Sequence, residues 1–182
     1  MTSFSDLARS RRSCRVYTGK RVPREDLELC AEAARHAPSA CNAQPWKFII
    51  IDDPDRSREV ASLFPTPGIA MNAFARNTPA FIAILSERQK VFPWFGGKLA
   101  SKDFRLMDLG IACAHIVLQA EELGIGTCIL GWFNERKLKK ILGVPRTKRI
   151  ELVITMGYAS ADTPAREKRF KDRNETISFN HY

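Results

Sequence analysis

Arg11-Arg12-Ser13-Cys14-Arg15 and Ala37-Pro38-Ser39-Ala40-Cys41-Asn42-Ala43-Gln44-Pro45-Trp46 are the two stretches on which the reading of this 182-residue chain turns. The first puts three guanidinium groups and a hydroxyl into five residues. Guanidinium binds phosphate oxygens bidentately and a hydroxyl adds a donor, so the run suits a phosphomonoester. The second is a turn of small and polar residues that cannot continue a helix. Together they suit a phosphate and a flat, polar-edged cofactor. Taken alone, the first run reads more simply as a solvated basic helix end, where cations complement the C-terminal dipole.

Working outward, Phe4, Leu7, Ala8 and Arg11 recur at helical spacing and predict a helix over 3–14. Val22-Pro23 opens a second helix with proline at its first position, and Pro38 ends it. Residues 46–51 read as a buried strand, followed by a helix from Pro54 to about Leu63, a loop over 64–68 and a short helix over 69–75. Residues 79–85 are apolar throughout, as in a strand covered on both faces. Residues 87–102 read as a long loop packed by its own aromatics, or as a lid or pocket wall.

Residues 103–123 form the longest predicted helix. Its polar stripe (Asp108, His115, Gln119, Glu122) is narrow, so the helix is expected to be buried against more than one neighbour, one the sheet and the other open to a partner subunit. His115 reads as part of that stripe rather than as a catalyst. Gly124-Ile125-Gly126 stops the helix. Strands follow at 127–130 and 150–156, with an Asn134-capped basic helix to Leu142 between them. Ile177 and Phe179 alternate like a terminal strand, to pair within the chain or across to a partner.

Length and composition fit one domain spanning 1–182, with 45% hydrophobic and 27% charged residues. No apolar run approaches the roughly 18 residues of a membrane span, and the N-terminus lacks a secretory pattern. The expected location is cytoplasmic, with no membrane partner. The five cysteines include no C-x-x-C and read as reduced, mostly buried thiols. The formal charge of +9 is largely dispersed and permits nucleic acid, membrane surfaces or anionic cofactors. No nucleic-acid-binding motif accompanies it, so nucleic acid is not expected as a partner.

Protein-borne chemistry is scarce. G-x-S-x-G, H-E-x-x-H and the phosphate-loop pattern are missing, and the three histidines lie far apart in sequence, which disfavours a metal site. That pattern fits a cofactor that carries the chemistry itself.

R-R-S-x-R near the N-terminus, then A-P-S-x-x-N-x-Q-P-W immediately before a strand, resembles the nitroreductase family of FMN-dependent oxidoreductases. Tyr17, Val22-Pro23, the 108–123 helix with its Gly124-Ile125-Gly126-Thr127 turn, Gly157-Tyr158 and Arg169-Phe170-Lys171 continue the resemblance along the chain. It implies an α+β fold, with a mixed central sheet, helices on both faces and an intertwined homodimer. Arg11, Arg12 and Ser13 would hold the FMN phosphate and ribityl chain, and Arg169 and Lys171 would complete the phosphate site. Arg15 would sit beside flavin N1 and the C2 carbonyl. Pro38, Ser39 and Ala40 would be laid against the flavin by the second subunit, with Asn42 and Gln44 orienting that turn or touching the cofactor. The backbone of Leu130 and Gly131 would face N5 and O4.

The implied activity is hydride transfer from NADH or NADPH through flavin N5 to nitroaromatic, quinone or similar electron-poor small molecules. No metal and no side-chain nucleophile are required. The alternative is a protein that binds FMN without catalysis, for storage or sensing. Two departures stand out: Leu130 occupies a position that is often acidic in the family, and the family's Asn-x-x-Lys pair is missing, with Asn72 as a loose candidate.

Overall fold

A computed structural model describes residues 3–64, 72–87, 103–161 and 167–182. The loop expected at 65–68, the start of the helix expected at 69–75 and the lid expected at 88–102 lie outside the described residues.

Four strands form the sheet: β1 (Trp46–Ile51), β2 (Ala80–Ser86), β3 (Gly126–Leu130) and β4 (Arg149–Gly157), in the spatial order β1-β2-β4-β3. The helices are α1 (Phe4–Ser10), α2 (Arg24–Arg35), α3 (Pro54–Ala61), α4 (Phe104–Glu122), α5 (Glu135–Leu142) and a single turn, α6 (Arg173–Thr176). Because strand side chains alternate between faces, β2 feeds two cores. Ala80, Ile82 and Ile84 pack with Leu27 and Cys30 of α2 and with Leu109, Ala112 and Ile116 of α4. Phe81, Ala83 and Leu85 pack on the other face with Val60 of α3 and Leu138 of α5. The fold is α+β with helices on both faces, and β2 is buried along its whole length.

Local chemistry fixes most helix ends. Asn134 caps α5 by accepting from the Lys137 N–H at 3.0 Å, and Gly143 closes it at φ 64°. Asp53 caps α3 by accepting from the Arg56 N–H at 2.8 Å. α2 starts one residue later than expected, with Pro23 as its cap instead of its first helical residue. Residues 73–77 form a 3₁₀ turn instead of part of an α-helix.

Three expectations are corrected. The first helix ends at Ser10 and does not run to 14. α1 buries none of its residues, so nothing outcompetes the pairing of the next segment with the sheet edge. Among the described residues the sheet is antiparallel, not mixed: every pairing of the four strands is antiparallel, and the parallel contact there is an isolated bridge, Ser13 with Thr127. The tail forms no strand at 177–179. Asp172 caps a helical turn there instead, and Ile177 and Phe179 stand exposed, because a strand needs a neighbouring ladder and this segment has none within the described residues.

Gly157 ends β4 where the chain is most crowded. A Cβ there would lie 2.8 Å from a ring carbon of Tyr17 and 2.8 Å from Pro79 Cδ, both on rigid rings. Gly157→Ala is expected to cost about 1–3 kcal/mol of stability in urea unfolding. A variant as stable as wild type would show that this packing is slack.

Candidate functional site

The basic run is joined to the sheet by an isolated parallel bridge, Ser13 with Thr127, and Cys14 is its fixed point. The Cys14 N–H donates to the Thr127 carbonyl at 2.7 Å, its carbonyl accepts from the Tyr17 hydroxyl at 3.0 Å, and its thiol donates to the Val16 carbonyl at 3.3 Å. Glycine at 126 allows this approach, since a Cβ there would lie 2.8 Å from Cys14 Cβ. Further along, the Thr18 N–H donates to the Tyr158 carbonyl at 3.0 Å and the Ser160 N–H to the Val16 carbonyl at 3.1 Å. The segment is therefore stitched to the end of β3 on one side and to the chain after β4 on the other.

With its backbone so held, the run turns its side chains to a cavity of about 300 Å³. Arg11, Arg12, Ser13 and Arg15 line it with Ala159, Ser160, Glu167 and Lys168. Arg12, Ser13 and Arg15 are exposed and Arg11 is half-buried. None of the three guanidinium groups forms an ion pair among the described residues. Their charge is thus free to meet an anion. The Arg15 guanidinium lies 6.0 Å from the Phe74 ring centroid, a cation–π contact. Burial pushes the Cys128 thiol up, and the charge of Arg15 and Arg11 works against that, so their field reaches β3.

The tail contributes a residue that the sequence reading passed over. Lys168 lines the cavity and donates to the carbonyls of Ala8 at 2.9 Å and Arg9 at 2.6 Å, capping the C-terminal turn of α1. Arg169 and Lys171, expected at the phosphate, are exposed and do not line that cavity. The run of basic residues marked the segment, but not which amine turns inward.

The second motif forms a preset turn. Ser39 Oγ accepts from the Gln44 N–H at 3.0 Å, and Gln44 Nε2 donates to Asn42 Oδ1 at 3.0 Å. Cys41, Asn42 and Gln44 all adopt positive φ, 52°, 52° and 45°. Such strain persists only where surroundings enforce it, and it gathers at functional sites. Asp108 is one enforcer: 4% exposed near the start of α4, it accepts from the Ala40 N–H at 3.2 Å, while its Oδ2 is buried with no partner among the described residues. Pro38, Asn42 and Gln44 are exposed, and Ser39 and Ala40 half-buried. Within one chain this turn leans on α4 and does not line the arginine cavity.

Leu130 is buried and Gly131 exposed at the end of β3. Asn72, at φ 65°, donates through Nδ2 to the Trp132 carbonyl at 3.1 Å and so fixes the backbone just beyond Gly131. Asn72 and Phe74 thereby connect the Leu130-Gly131 segment to Arg15. His115 is spent within its helix, its Nδ1 2.9 Å from the Ile111 carbonyl. Among the described residues there is no cluster of three or more metal-binding side chains, and no helix is long and apolar enough to cross a membrane.

Comparison with known proteins agrees with this layout. A sequence model of the nitroreductase family matches residues 8–65 and 70–158, a span that contains both motifs and every strand. An Archaeoglobus fulgidus protein, provisionally named NADH dehydrogenase/NAD(P)H nitroreductase, is 30% identical over 173 residues, covering 93% of this chain and 90% of that protein. An iodotyrosine deiodinase of Thermotoga neapolitana is 25% identical over 189 residues, covering 97% of each chain. The structure of an FMN-dependent nitroreductase from Clostridium difficile R20291 superimposes with a TM-score of 0.74 at 26% identity, over 97% of this chain and 98% of that one. On the match of its motifs, its strands and its length, the chain belongs to the nitroreductase family.

Proposed function

We propose that the chain is an FMN-dependent oxidoreductase that takes reducing equivalents from NADH or NADPH and delivers them to an electron-poor small molecule. The observation that carries this reading is the extended run at 11–15: three guanidinium groups without carboxylate partners among the described residues, beside a cavity, on a backbone locked to the sheet. Such a site suits a dianionic phosphomonoester better than a neutral ligand. When bound, FMN supplies the hydride acceptance and the onward electron transfer.

The chain's own groups bind and orient. Arg11, Arg12 and Ser13 hold the phosphate and ribityl end. Arg15, steadied by Phe74, brings positive charge to the pyrimidine edge, where negative charge gathers on reduction. The backbone at Leu130 and Gly131, pinned by Asn72, presents amide hydrogens toward N5 and O4. In this reading Lys168 supports the phosphate end through α1, and Arg169 and Lys171 add positive charge on the same stretch of tail.

The turn holding Pro38, Ser39, Ala40, Asn42 and Gln44 meets this site only from a second copy, so the reading includes a homodimer. Support comes from α4, which leaves Phe104, Leu106, Met107 and Ile111 between 38% and 51% exposed, beside an apolar groove shared with Phe4 and Leu7 of α1. Exposed apolar surface of that extent marks an interaction site. The names of the relatives support a flavin and a nicotinamide donor. They span nitro reduction and deiodination, so the acceptor is stated only as an electron-poor aromatic or quinone.

Purified protein is expected to take up FMN and turn yellow, and one of the two nicotinamide nucleotides should bleach it anaerobically. Nitroaromatics, quinones and iodophenols, added in turn, then identify the acceptor by return of the colour. A protein that takes up no FMN overturns the reading; bound flavin that neither nucleotide bleaches favours the non-catalytic alternative. Arg12→Ala should weaken FMN binding by about 10- to 100-fold, the effect of one charged hydrogen-bonding partner. Wild-type affinity in that variant would remove Arg12 from the site.

A further inference from the structure

Between the basic run and the sheet lies a buried line of polar groups that the proposed chemistry does not use. Tyr17 is 8% exposed and Thr155, in the middle of β4, is 0% exposed. Their oxygens lie 2.6 Å apart, and the Tyr17 hydroxyl is also 3.0 Å from the Cys14 carbonyl. Thr155 Oγ1 in turn accepts from the Cys128 N–H of β3 at 3.1 Å. Each hydroxyl has one proton, so Tyr17 giving its proton to the Cys14 carbonyl leaves the Thr155 proton to the Tyr17 oxygen at 2.6 Å or to the Cys128 carbonyl, 3.2 Å away. On the shorter of these contacts the chain runs from the Cys128 amide through Thr155 and Tyr17 to the Cys14 carbonyl. Hydrogen bonds aligned head to tail in a dry interior strengthen one another.

We propose that Tyr17 is a positioning residue for the pyrimidine end of the site, its hydroxyl tying the Cys14 carbonyl to Thr155 in the sheet interior and so setting the direction of Arg15. This rests on the cofactor reading above. Cys14 is held on both backbone sides, its N–H by Thr127 and its carbonyl by Tyr17, so the peptide planes leading to Ser13 and Arg15 cannot rotate. Tyr17 is itself fixed. It bridges to Ala159, and its ring sits where only glycine at 157 leaves room. Burial pushes the phenol well above the ordinary tyrosine range, so it keeps the donated proton at any working pH. A phenylalanine would fill the same space and leave the Cys14 carbonyl untied.

The test compares FMN with riboflavin, which shares the ring and lacks the phosphate, by titration against wild type, Tyr17→Phe, Thr155→Val, Thr155→Ser and the Tyr17→Phe/Thr155→Val double variant. Tyr17→Phe should weaken FMN and riboflavin alike, by about 5- to 20-fold, the scale of one or two buried hydrogen bonds. Thr155→Val should do the same, Thr155→Ser should restore wild-type binding, and the double variant should be no weaker than the worse single one, because both break one line. FMN affinity unchanged in Tyr17→Phe, or a loss confined to FMN with riboflavin unaffected, would overturn the proposal and leave the cofactor reading standing. Wild type that binds no FMN would overturn the cofactor reading and this proposal with it.

Discussion

The hydrogen bond from the Cys14 N–H to the Thr127 carbonyl, 2.7 Å long, is the contact on which the site depends. It ties a run that could have been a loose, solvated helix end to the edge of the sheet. The bond requires β3 to be in place, and β3 is in place because β4 pairs with both β3 and β2. β2 in turn is held by two cores, one on each face. The position of three guanidinium groups is thus inherited from the most buried part of the molecule. Glycine at 126 is the local condition for that inheritance, since any side chain there would push the run away.

The same logic applies to the strained turn at 39–44. Three non-glycine residues at positive φ would relax in a free loop. Here one end leads straight into β1, and the middle is tied to Asp108 on α4. A buried Asp108 side chain whose Oδ2 has no partner among the described residues is costly. Its presence beneath this turn indicates that the backbone shape there matters more than the stability it costs. Two rigid walls result, one basic and one preset, and in the proposed dimer they face each other across the flavin.

Much of this was legible in the residues, and the failures share one cause. Apolar runs located β1, β2 and β4 because a run of aliphatic residues is a purely local signal, although only β2 is buried along its whole length and β1, expected as a buried strand, is mostly half-buried. Asn134 and Gly143 marked α5 for the same reason, since caps act within one turn. The basic run reads locally as a helix end because its conformation is decided by pairing with Thr127, far away in sequence. The expected tail strand failed because alternation at Ile177 and Phe179 is not enough without a neighbouring ladder. Lys168, Asp108 and the Tyr17–Thr155 line were invisible because which of several polar residues turns inward depends on tertiary packing. The motif positions stood out through their residue types, whereas the groups that hold those positions did not.

The central claim is that the basic run of one copy and the strained turn of another build a single FMN site, and a mixed dimer tests it most directly. One chain carries Arg12→Ala, which damages the basic wall. The other carries Pro38→Trp, which blocks the turn at an exposed residue outside its hydrogen bonds. Each variant alone should bind FMN weakly. In a two-fold dimer assembled from one of each, one site holds both defects and the other holds none, so flavin should return to about half the wild-type amount per dimer. A mixed dimer that recovers no flavin, or chains that bind flavin fully as monomers, would contradict the account.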